Sequence, residues 1–154
     1  MGASISVKEK EGIEPIGDIT VRSSSLSNIT VDPQDIPFII DEIPILAVAA
    51  MFAKGKMHIT DAKELRVKES DRIKSTVELV KQFGGSITEK KDGFILSGGL
   101  NPKKPNINTY YDHRIAMSAI IGATAANIEI SLDTLDAIQT SFPSFLTILD
   151  SIST

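Results

Sequence analysis

The clearest hydrophobic pattern in the chain is an apolar run from Ile45 to Ala53 that has no polar face. A helix with this pattern is expected to be covered on most of its sides, and Gly55 marks its end. Directly after it, Met57 and Ile59 alternate with polar residues, which is typical of a half-buried strand. The pattern therefore predicts a buried helix followed by a strand.

Further along the chain, the apolar spacing becomes that of an amphipathic helix running from about Ser70 to Phe83. The apolar positions with this spacing are Ile73, Val77, Val80 and Phe83. Two short apolar segments around a charged turn that ends in Gly then predict a hairpin. In chain order, the predicted unit is a strand (Phe38 to Ile40), the buried helix, a strand (Met57 to Thr60), the amphipathic helix and the hairpin (Ser86 to Leu96).

Part of this unit is repeated. The segment from Asp41 to Thr60 aligns without a gap on the segment from Asp112 to Ser131, and each copy reads as Asp, a buried helix and a strand. In the second copy, Ile128 and Ile130 alternate with polar residues, which predicts the strand. A last helix is predicted from about Pro143 to Ile152.

A second hairpin is predicted at Met1 to Ile13, which matches Phe83 to Phe94. We expect one domain of the α/β class (α+β in stricter usage) built from β-α-β-α-β-β units. Residues 1–37 would be the hairpin end of one unit, 38–98 a complete unit and 106–154 a unit without its hairpin. Units that are incomplete at both ends indicate a piece of a larger protein. The alternative is a natural repeat protein whose terminal units are trimmed as caps.

Composition excludes several classes of protein. The 154 residues are 42% hydrophobic and 23% charged, which is typical of a globular domain. The chain has no Cys, which excludes disulfides, thiolate zinc sites, iron–sulfur clusters and a cysteine nucleophile. A net charge of −4 without a Lys/Arg run argues against nucleic acid as a partner. The longest apolar stretch, Ile43 to Ala53, is too short to cross a bilayer, so we expect a soluble cytoplasmic protein.

Charged residues cluster where the helices are predicted to begin. Lys68, Glu69 and Arg72 surround the start of the amphipathic helix, where Ser70 or Asp71 could serve as the cap. An Arg at this end of a helix opposes the helix macrodipole. A bound anion would explain it, because the guanidinium and the free backbone N–H groups would both bind the negative charge. The alternative is a solvated helix start whose charges are neutralised by Glu69 and Asp71.

His113 and Arg114 follow the predicted cap Asp112, at the start of an almost entirely apolar helix. Two helices that each begin with an unfavourably placed Arg, in a chain of negative net charge, favour a shared polyanionic small ligand. His113 could neutralise that ligand or transfer a proton, or it could bond to a neighbouring loop. The other histidine, His58, lies on the polar face of a strand and is expected to have no such role.

Asp41 begins the third cluster. An Asp ahead of a buried helix that carries a Pro in its first turn, here Pro44, is an ordinary N-cap. A carboxylate at the same end as two Arg clusters could instead accept a hydrogen bond from a substrate hydroxyl and act as a general base.

These three motifs resemble those of the 5-enolpyruvylshikimate-3-phosphate synthase family. They are Arg66-Val-Lys-Glu-Ser-Asp-Arg72, Asp112-His-Arg-Ile-Ala-Met117 and Asp41-Glu-Ile-Pro44. The resemblance covers essentially the whole chain, which corresponds to about the last third of that enzyme. It implies an enolpyruvyl transferase fold with two domains of three β-α-β-α-β-β units each and an active site between them. This chain would hold most of one domain.

The resemblance also implies a reaction. The enolpyruvyl group of phosphoenolpyruvate would pass to the 5-hydroxyl of shikimate 3-phosphate, with release of phosphate and with no metal or organic cofactor. Asp41 would bind the shikimate hydroxyls and is a candidate base. Lys68 would lie near the reacting hydroxyl, and Glu69 would move a proton to or from the methylene carbon. The phosphoenolpyruvate-binding residues would be Arg72 and Arg114, with His113 alongside.

One segment departs from the family pattern. Some members carry a Lys just before the Phe-Pro pair of the last helix, whereas this chain has Thr140 and Ser141 there. The absent domain would supply further contacts to both substrates, and its closure would exclude water. We therefore expect the isolated chain to be inactive without its partner, the remaining N-terminal portion of the enzyme.

Two other functions remain as alternatives. A fragment of a UDP-N-acetylglucosamine enolpyruvyl transferase would share the fold and the donor, although the run from Arg66 to Arg72 argues against it. The second alternative is a non-catalytic repeat module that binds an anion or a protein. A third is a purely structural fragment that has no function by itself.

Overall fold

The computed structural model describes residues 1–10, 12 and 14–152, and its mixture of helices and strands confirms the α/β class. The strands are β1 (Ser4–Lys10), β2 (Ile16–Arg22), β3 (Lys56–Ile59), β4 (Ser86–Lys90), β5 (Gly93–Ser97), β6 (Asn106–Ile107) and β7 (Ser131–Leu132). The α-helices are α1 (Ile36–Ile39), α2 (Ile43–Phe52), α3 (Arg72–Gln82), α4 (His113–Ala126), α5 (Asp136–Ser141) and α6 (Phe145–Ile152). Short 3-10 helices cover Ile40–Glu42 and Lys63–Val67.

The centre of the molecule is an antiparallel sheet with strand order β3-β5-β4, packed against α2 and α3. A Cβ at Gly93 would lie 2.0 Å from the carbonyl oxygen of Ile59, so glycine allows β5 to approach β3 this closely. Helix α2 lies between α3 and α4, which explains why it is apolar all round. The predicted buried helix, its following strand, the amphipathic helix and the hairpin predicted at Ser86 to Leu96 are all confirmed.

The strand predicted at Phe38 to Ile40 is wrong. This segment is helical, because Pro37 lies in the first turn of α1, where its fixed φ favours a helix and its missing N–H costs nothing. The chain that pairs with β3 lies earlier, where Val31 N–H donates to the His58 carbonyl and His58 N–H donates to the Ile29 carbonyl. In place of the predicted strand, the structure has an isolated parallel bridge between Thr30 and His58, several residues nearer the N-terminus.

The second repeat also departs from its predicted strand. Asn127 ends α4 in the left-handed conformation, with φ of 52°, and Ile128 N–H bonds back to the Ala123 carbonyl. Residues 128–130 keep the alternating burial that was predicted, but the paired strand is β7, which begins at Ser131 and runs parallel to β6. The last helix is confirmed as α6, and α5 was not predicted.

A hairpin does begin in the segment Met1 to Ile13, as predicted, but it is longer than expected: β1 pairs with β2, which begins at Ile16, beyond the predicted segment. Glu11 and Ile13 lie outside the described residues. The charged residues Lys8 to Lys10 belong to β1. Both strands are exposed along their whole length. The division of the chain into units at 1–37, 38–98 and 106–154 stays a prediction. In the described part of the chain, no helix has the length and apolar character needed to span a membrane.

Candidate active site

The N-terminal ends of α2, α3 and α4 meet at one place, and Arg72 joins them. Arg72 is the first residue of α3. Its Nη1 lies 2.7 Å from Oδ1 of Asp41, which precedes α2, and its Nε lies 2.7 Å from Oδ2 of Asp112, which precedes α4. The three predicted clusters therefore form a single site.

A third carboxylate completes the surroundings of Arg72, because its Nη2 lies 2.5 Å from Oε2 of Glu69. The Arg72 side chain is 1% exposed. A buried guanidinium is tolerated only when it is paired and hydrogen-bonded. The Arg that opposes the dipole of α3 is thus balanced by the protein's own carboxylates, Glu69 among them as the alternative expected, but it is buried and not solvated.

Asp112 has two roles. It is the N-cap of α4, as predicted, because its Oδ1 accepts from the Arg114 backbone N–H at 3.0 Å. Its Oδ2 also accepts from Ser70 Oγ at 2.9 Å and from Arg72. Burial would raise the pKa of Asp112, but the bonds and charge of Arg72, with the Ser70 and Arg114 bonds, lower it below 3.8. The second role was missed, because it depends on a partner 40 residues away.

Asp41 is not the N-cap of α2, which corrects that interpretation. It lies in the 3-10 turn Ile40–Glu42, and the N-cap position belongs to Glu42, whose side chain makes no capping bond. Oδ1 of Asp41 instead accepts from Lys68 Nζ at 3.1 Å and from Arg72. Burial raises the pKa of Asp41, but the bond and charge of Lys68, with the charges of Arg114 and Arg72, lower it below 3.8. Asp41 is therefore a carboxylate at neutral pH.

Arg114 faces the same site from α4. Its Nη1 donates to the Asp41 carbonyl and to Oε1 of Glu42, both at 2.9 Å. Together, three cations (Lys68, Arg72 and Arg114) meet four carboxylates (Asp41, Glu42, Glu69 and Asp112). The site is therefore not positive overall, and each of its cations is bound to a carboxylate of this chain.

A family model for EPSP synthase (3-phosphoshikimate 1-carboxyvinyltransferase) matches residues 1–149. The chain belongs to the EPSP synthase family. The 3-phosphoshikimate 1-carboxyvinyltransferase of Caldicellulosiruptor bescii is 49% identical over 152 residues, which are 97% of this chain and 35% of that protein. The enzyme of the same name from Petrotoga mobilis is 44% identical over 155 residues, or 99% of this chain and 36% of that protein.

The fold agrees with a solved structure of this family. EPSP synthase from Acinetobacter baumannii superimposes with a TM-score of 0.86 at 35% identity, covering 98% of this chain and 36% of that one. The chain thus spans about a third of the length of the EPSP synthases it matches. The resemblance stated from the three motifs is confirmed.

The remaining predicted site residue, His113, is the first residue of α4. It lines a depression together with Tyr111, Asp136, Thr140 and Ser141. The structure therefore places the two hydroxyl residues that depart from the family pattern beside His113. Thr140 Oγ1 is bonded within α5 to the Asp136 carbonyl, at 3.3 Å.

The motif Arg66 to Arg72 contains a further ionic contact that the sequence interpretation did not include. Asp71 is the N-cap of α3, which decides between the two predicted caps. Arg66 Nη1 lies 2.9 Å from Oδ2 of Asp71 and 2.7 Å from Oε1 of Glu89 on β4. Two further bonds join Arg66 to the carbonyls of Lys90, at the end of β4, and Lys91, in the turn that follows. Arg66 therefore fixes the segment that carries Lys68 and Glu69 to the central sheet.

The lowered pKa of Asp112 predicts a loss of stability in acid. An Asp with a lower pKa in the folded chain than in the unfolded chain, where it is about 3.9, stabilises the fold fully above that value. The contribution disappears as the pH falls through the folded-state pKa. We expect urea unfolding measured from pH 7 to about 2 to show a steeper loss in the wild-type chain than in Asp112→Asn. An equal loss of stability with falling pH in the wild type and in Asp112→Asn would contradict a lowered pKa of Asp112 in the folded chain.

Proposed function

We propose that this chain supplies one side of the active site of a 3-phosphoshikimate 1-carboxyvinyltransferase. The whole enzyme would transfer enolpyruvyl from phosphoenolpyruvate to the 5-hydroxyl of shikimate 3-phosphate and release phosphate. The observation that carries the proposal is the meeting of Lys68 and Arg72 on one carboxylate oxygen of Asp41. Asp41 comes from one motif and the two cations from another, and an acceptor beside two cations suits a hydroxyl on an anionic substrate.

In this proposal, Asp41 and Lys68 hold the reacting hydroxyl. The lowered pKa of Asp41 keeps it ionised, so it can accept a hydrogen bond from a substrate hydroxyl. General-base catalysis is most efficient when the pKa lies near the working pH. Asp41 becomes the better base when substrate separates it from Lys68 or Arg72, because the cations that lower its pKa are then farther away.

Arg72 and Arg114 would bind phosphoenolpyruvate, and their accessibility differs. The Arg114 side chain is 30% exposed, so an anion can reach it by displacing Glu42. An anion can reach Arg72 only by displacing Asp41 or Glu69, whose side chains are 42% and 49% exposed. Asp112, which is fully buried, would continue to hold the guanidinium. Glu69, once released from Arg72, would be free to exchange a proton with the methylene carbon.

The charge balance supports a site that is completed by other residues. Four carboxylates outnumber three cations here, so this side alone attracts a polyanion weakly. That argues against a module that binds an anion by itself. In this proposal the missing positive charge would come from the remaining portion of the enzyme.

The hairpin β1–β2 offers a surface for that remaining portion. Ile5 pairs with Val21 and Val7 with Ile19, so these four apolar side chains share one face of the hairpin. All four are exposed. An exposed apolar face of this kind usually marks a contact with another protein surface, and we propose that it packs against the rest of the enzyme.

The proposal is tested by complementation. The chain would be co-expressed with the first two thirds of the Caldicellulosiruptor bescii relative. Phosphate release would then be measured with phosphoenolpyruvate and shikimate 3-phosphate together, and with each alone. We expect activity only when both parts and both substrates are present. A stable complex that binds phosphoenolpyruvate without turnover would favour the non-catalytic module.

A matched pair of variants guards against loss of assembly. Val7→Asp places a charge on the apolar hairpin face and should prevent complex formation and activity together. Ser6→Asp, on the opposite face of the same strand, should leave both unchanged. Equal behaviour of the two variants would contradict the proposed contact.

A further inference from the structure

The corner between β6 and α4 has an unusual backbone. Tyr110 and Tyr111 both have positive φ angles, of 54° and 55°. Positive φ is uncommon outside glycine, and for bulky side chains it persists only where the surroundings impose it. The corner ends at Asp112, the carboxylate that holds Arg72. Its geometry therefore decides where a central group of the site lies.

Three bonds hold the corner locally. Tyr110 N–H donates to Oδ1 of Asn108 at 3.0 Å, and Asp112 N–H donates to the Thr109 carbonyl at 2.9 Å. Thr109 N–H donates to Oδ1 of Asp133, also at 2.9 Å. These contacts shape the turn, but they do not attach it to α3, the helix that carries Arg72.

The attachment to α3 is made by a side chain. The Tyr110 hydroxyl donates to the Glu78 carboxylate, which lies on α3 six residues beyond Arg72. Six residues correspond to about 9 Å along a helix. The corner is therefore joined to α3 at two separated points, through Tyr110–Glu78 and through Asp112–Arg72. Two such points prevent the corner from pivoting about the ion pair.

We propose that Tyr110 is a positioning residue: its bond to Glu78 holds the strained corner so that Asp112 stays on Arg72. Asp112 in turn keeps the Arg72 guanidinium oriented toward Asp41 and Glu69. The bond to Glu78, with burial and the Glu78 charge, raises the pKa of Tyr110 to about 12, so the hydroxyl remains a donor at neutral pH. The effect of this role on catalysis rests on the proposed function, whereas the contacts of Tyr110 and Asp112 with α3 do not depend on it.

The test removes one hydroxyl at a time from adjacent tyrosines. Tyr110→Phe removes the bond to Glu78, and Tyr111→Phe removes the hydroxyl of a residue that is 72% exposed in the same strained corner. The measured quantity is the exchange rate of the Arg72 Nε–H proton with water, observed by ¹⁵N NMR on the whole chain. That proton is buried and bonded to Asp112, so its exchange reports directly on the ion pair.

We expect Tyr110→Phe to accelerate this exchange by about tenfold or more, because hydrogen bonds to charged groups are the stronger ones. Tyr111→Phe should leave it within about twofold of the wild type, since no ion pair depends on an exposed hydroxyl. Glu78→Gln keeps an acceptor oxygen and should largely preserve slow exchange, whereas Glu78→Ala should resemble Tyr110→Phe. If Tyr110→Phe does not fold, the comparison of Glu78→Gln with Glu78→Ala tests the same bond. Unchanged exchange in the folded Tyr110→Phe variant, or in Glu78→Ala, would overturn the proposal.

A parallel titration separates this inference from the proposed function. Phosphoenolpyruvate is added to each variant, in the complex with the remaining portion of the enzyme, with inorganic phosphate as the control. Faster Arg72 exchange without any response specific to phosphoenolpyruvate would support the positioning role and contradict the proposed function. A specific response that is equal in the wild type and Tyr110→Phe, with unchanged exchange, would support the function and overturn the positioning role.

Discussion

Replacing Asp112 with Ala is expected to lower the free energy of unfolding by about 3–5 kcal/mol, the range for breaking a buried ion pair from one side. The variant leaves Arg72 buried without the carboxylate that binds its Nε. It also removes the N-cap of α4, which typically contributes about 1 kcal/mol. Because Asp41 and Glu69 still bind Arg72, the lower half of the range is the more reasonable expectation. Urea unfolding of the whole chain at pH 7 measures this change in the free energy of unfolding.

Two further variants interpret this result. Asp112→Asn keeps an acceptor for the Arg114 backbone N–H but loses the charge, so its loss should be smaller, about 1–3 kcal/mol. Asp18→Asn breaks the exposed pair with Lys10 and should change stability by less than about 1 kcal/mol. A loss in Asp112→Ala no larger than that in Asp18→Asn would mean that the ion-pair network is not what holds α3 and α4 together.

The largest expected effect on catalysis is at Glu69. In the complemented enzyme, Glu69→Gln should lower kcat by roughly 10²–10⁴-fold, the usual contribution of a positioned general acid or base. The amide keeps the size of the side chain and an acceptor for Arg72, but it cannot exchange a proton. Because the hydrogen-bonding shape is preserved, KM for both substrates should change much less than kcat. Steady-state phosphate release measures both quantities.

The matched control for this variant is Glu129→Gln. Glu129 is also an exposed glutamate that is bound to a basic side chain, here Lys104, but it lies outside the three motifs. It should retain full activity. If Glu69→Gln instead raised KM for phosphoenolpyruvate and left kcat unchanged, Glu69 would be a binding residue whose role is to orient Arg72.

Local pattern predicted the elements that carry the site. The apolar residues of the run that forms α2 and those with helical spacing in α3 are buried together in one core. The caps were only partly predictable. Asp112 was identified correctly, whereas Asp41 was assigned a cap that the structure gives to no side chain. Both residues precede a helix and bind Arg72, and what distinguishes them is the bond from the Arg114 backbone N–H to Asp112.

The errors fall where local and distant signals compete. The segment Phe38 to Ile40 is apolar enough for a strand, but Pro37 favours a helix there, and residues 29–31 bond to β3 instead. The segment from Asn127 to Ile130 has the alternation of a strand. However, the left-handed Asn127 redirects the chain, and pairing begins only at Ser131. In the second case the alternation of burial is as predicted and only the pairing differs. In the first case the apolar side chain of Phe38 is 86% exposed.

The amino-acid sequence alone determined the family and the residues of the three motifs, because these are contiguous and chemically specific. It also determined that Arg72 and Arg114 begin helices, where their charge needs a compensating anion. Only the tertiary structure decided which anion that is. For Arg72 it is Asp41, Glu69 and Asp112, two of which lie 31 and 40 residues away along the chain. Ion pairs depend on distance in space and on burial, and both are set only when the helices pack against one another.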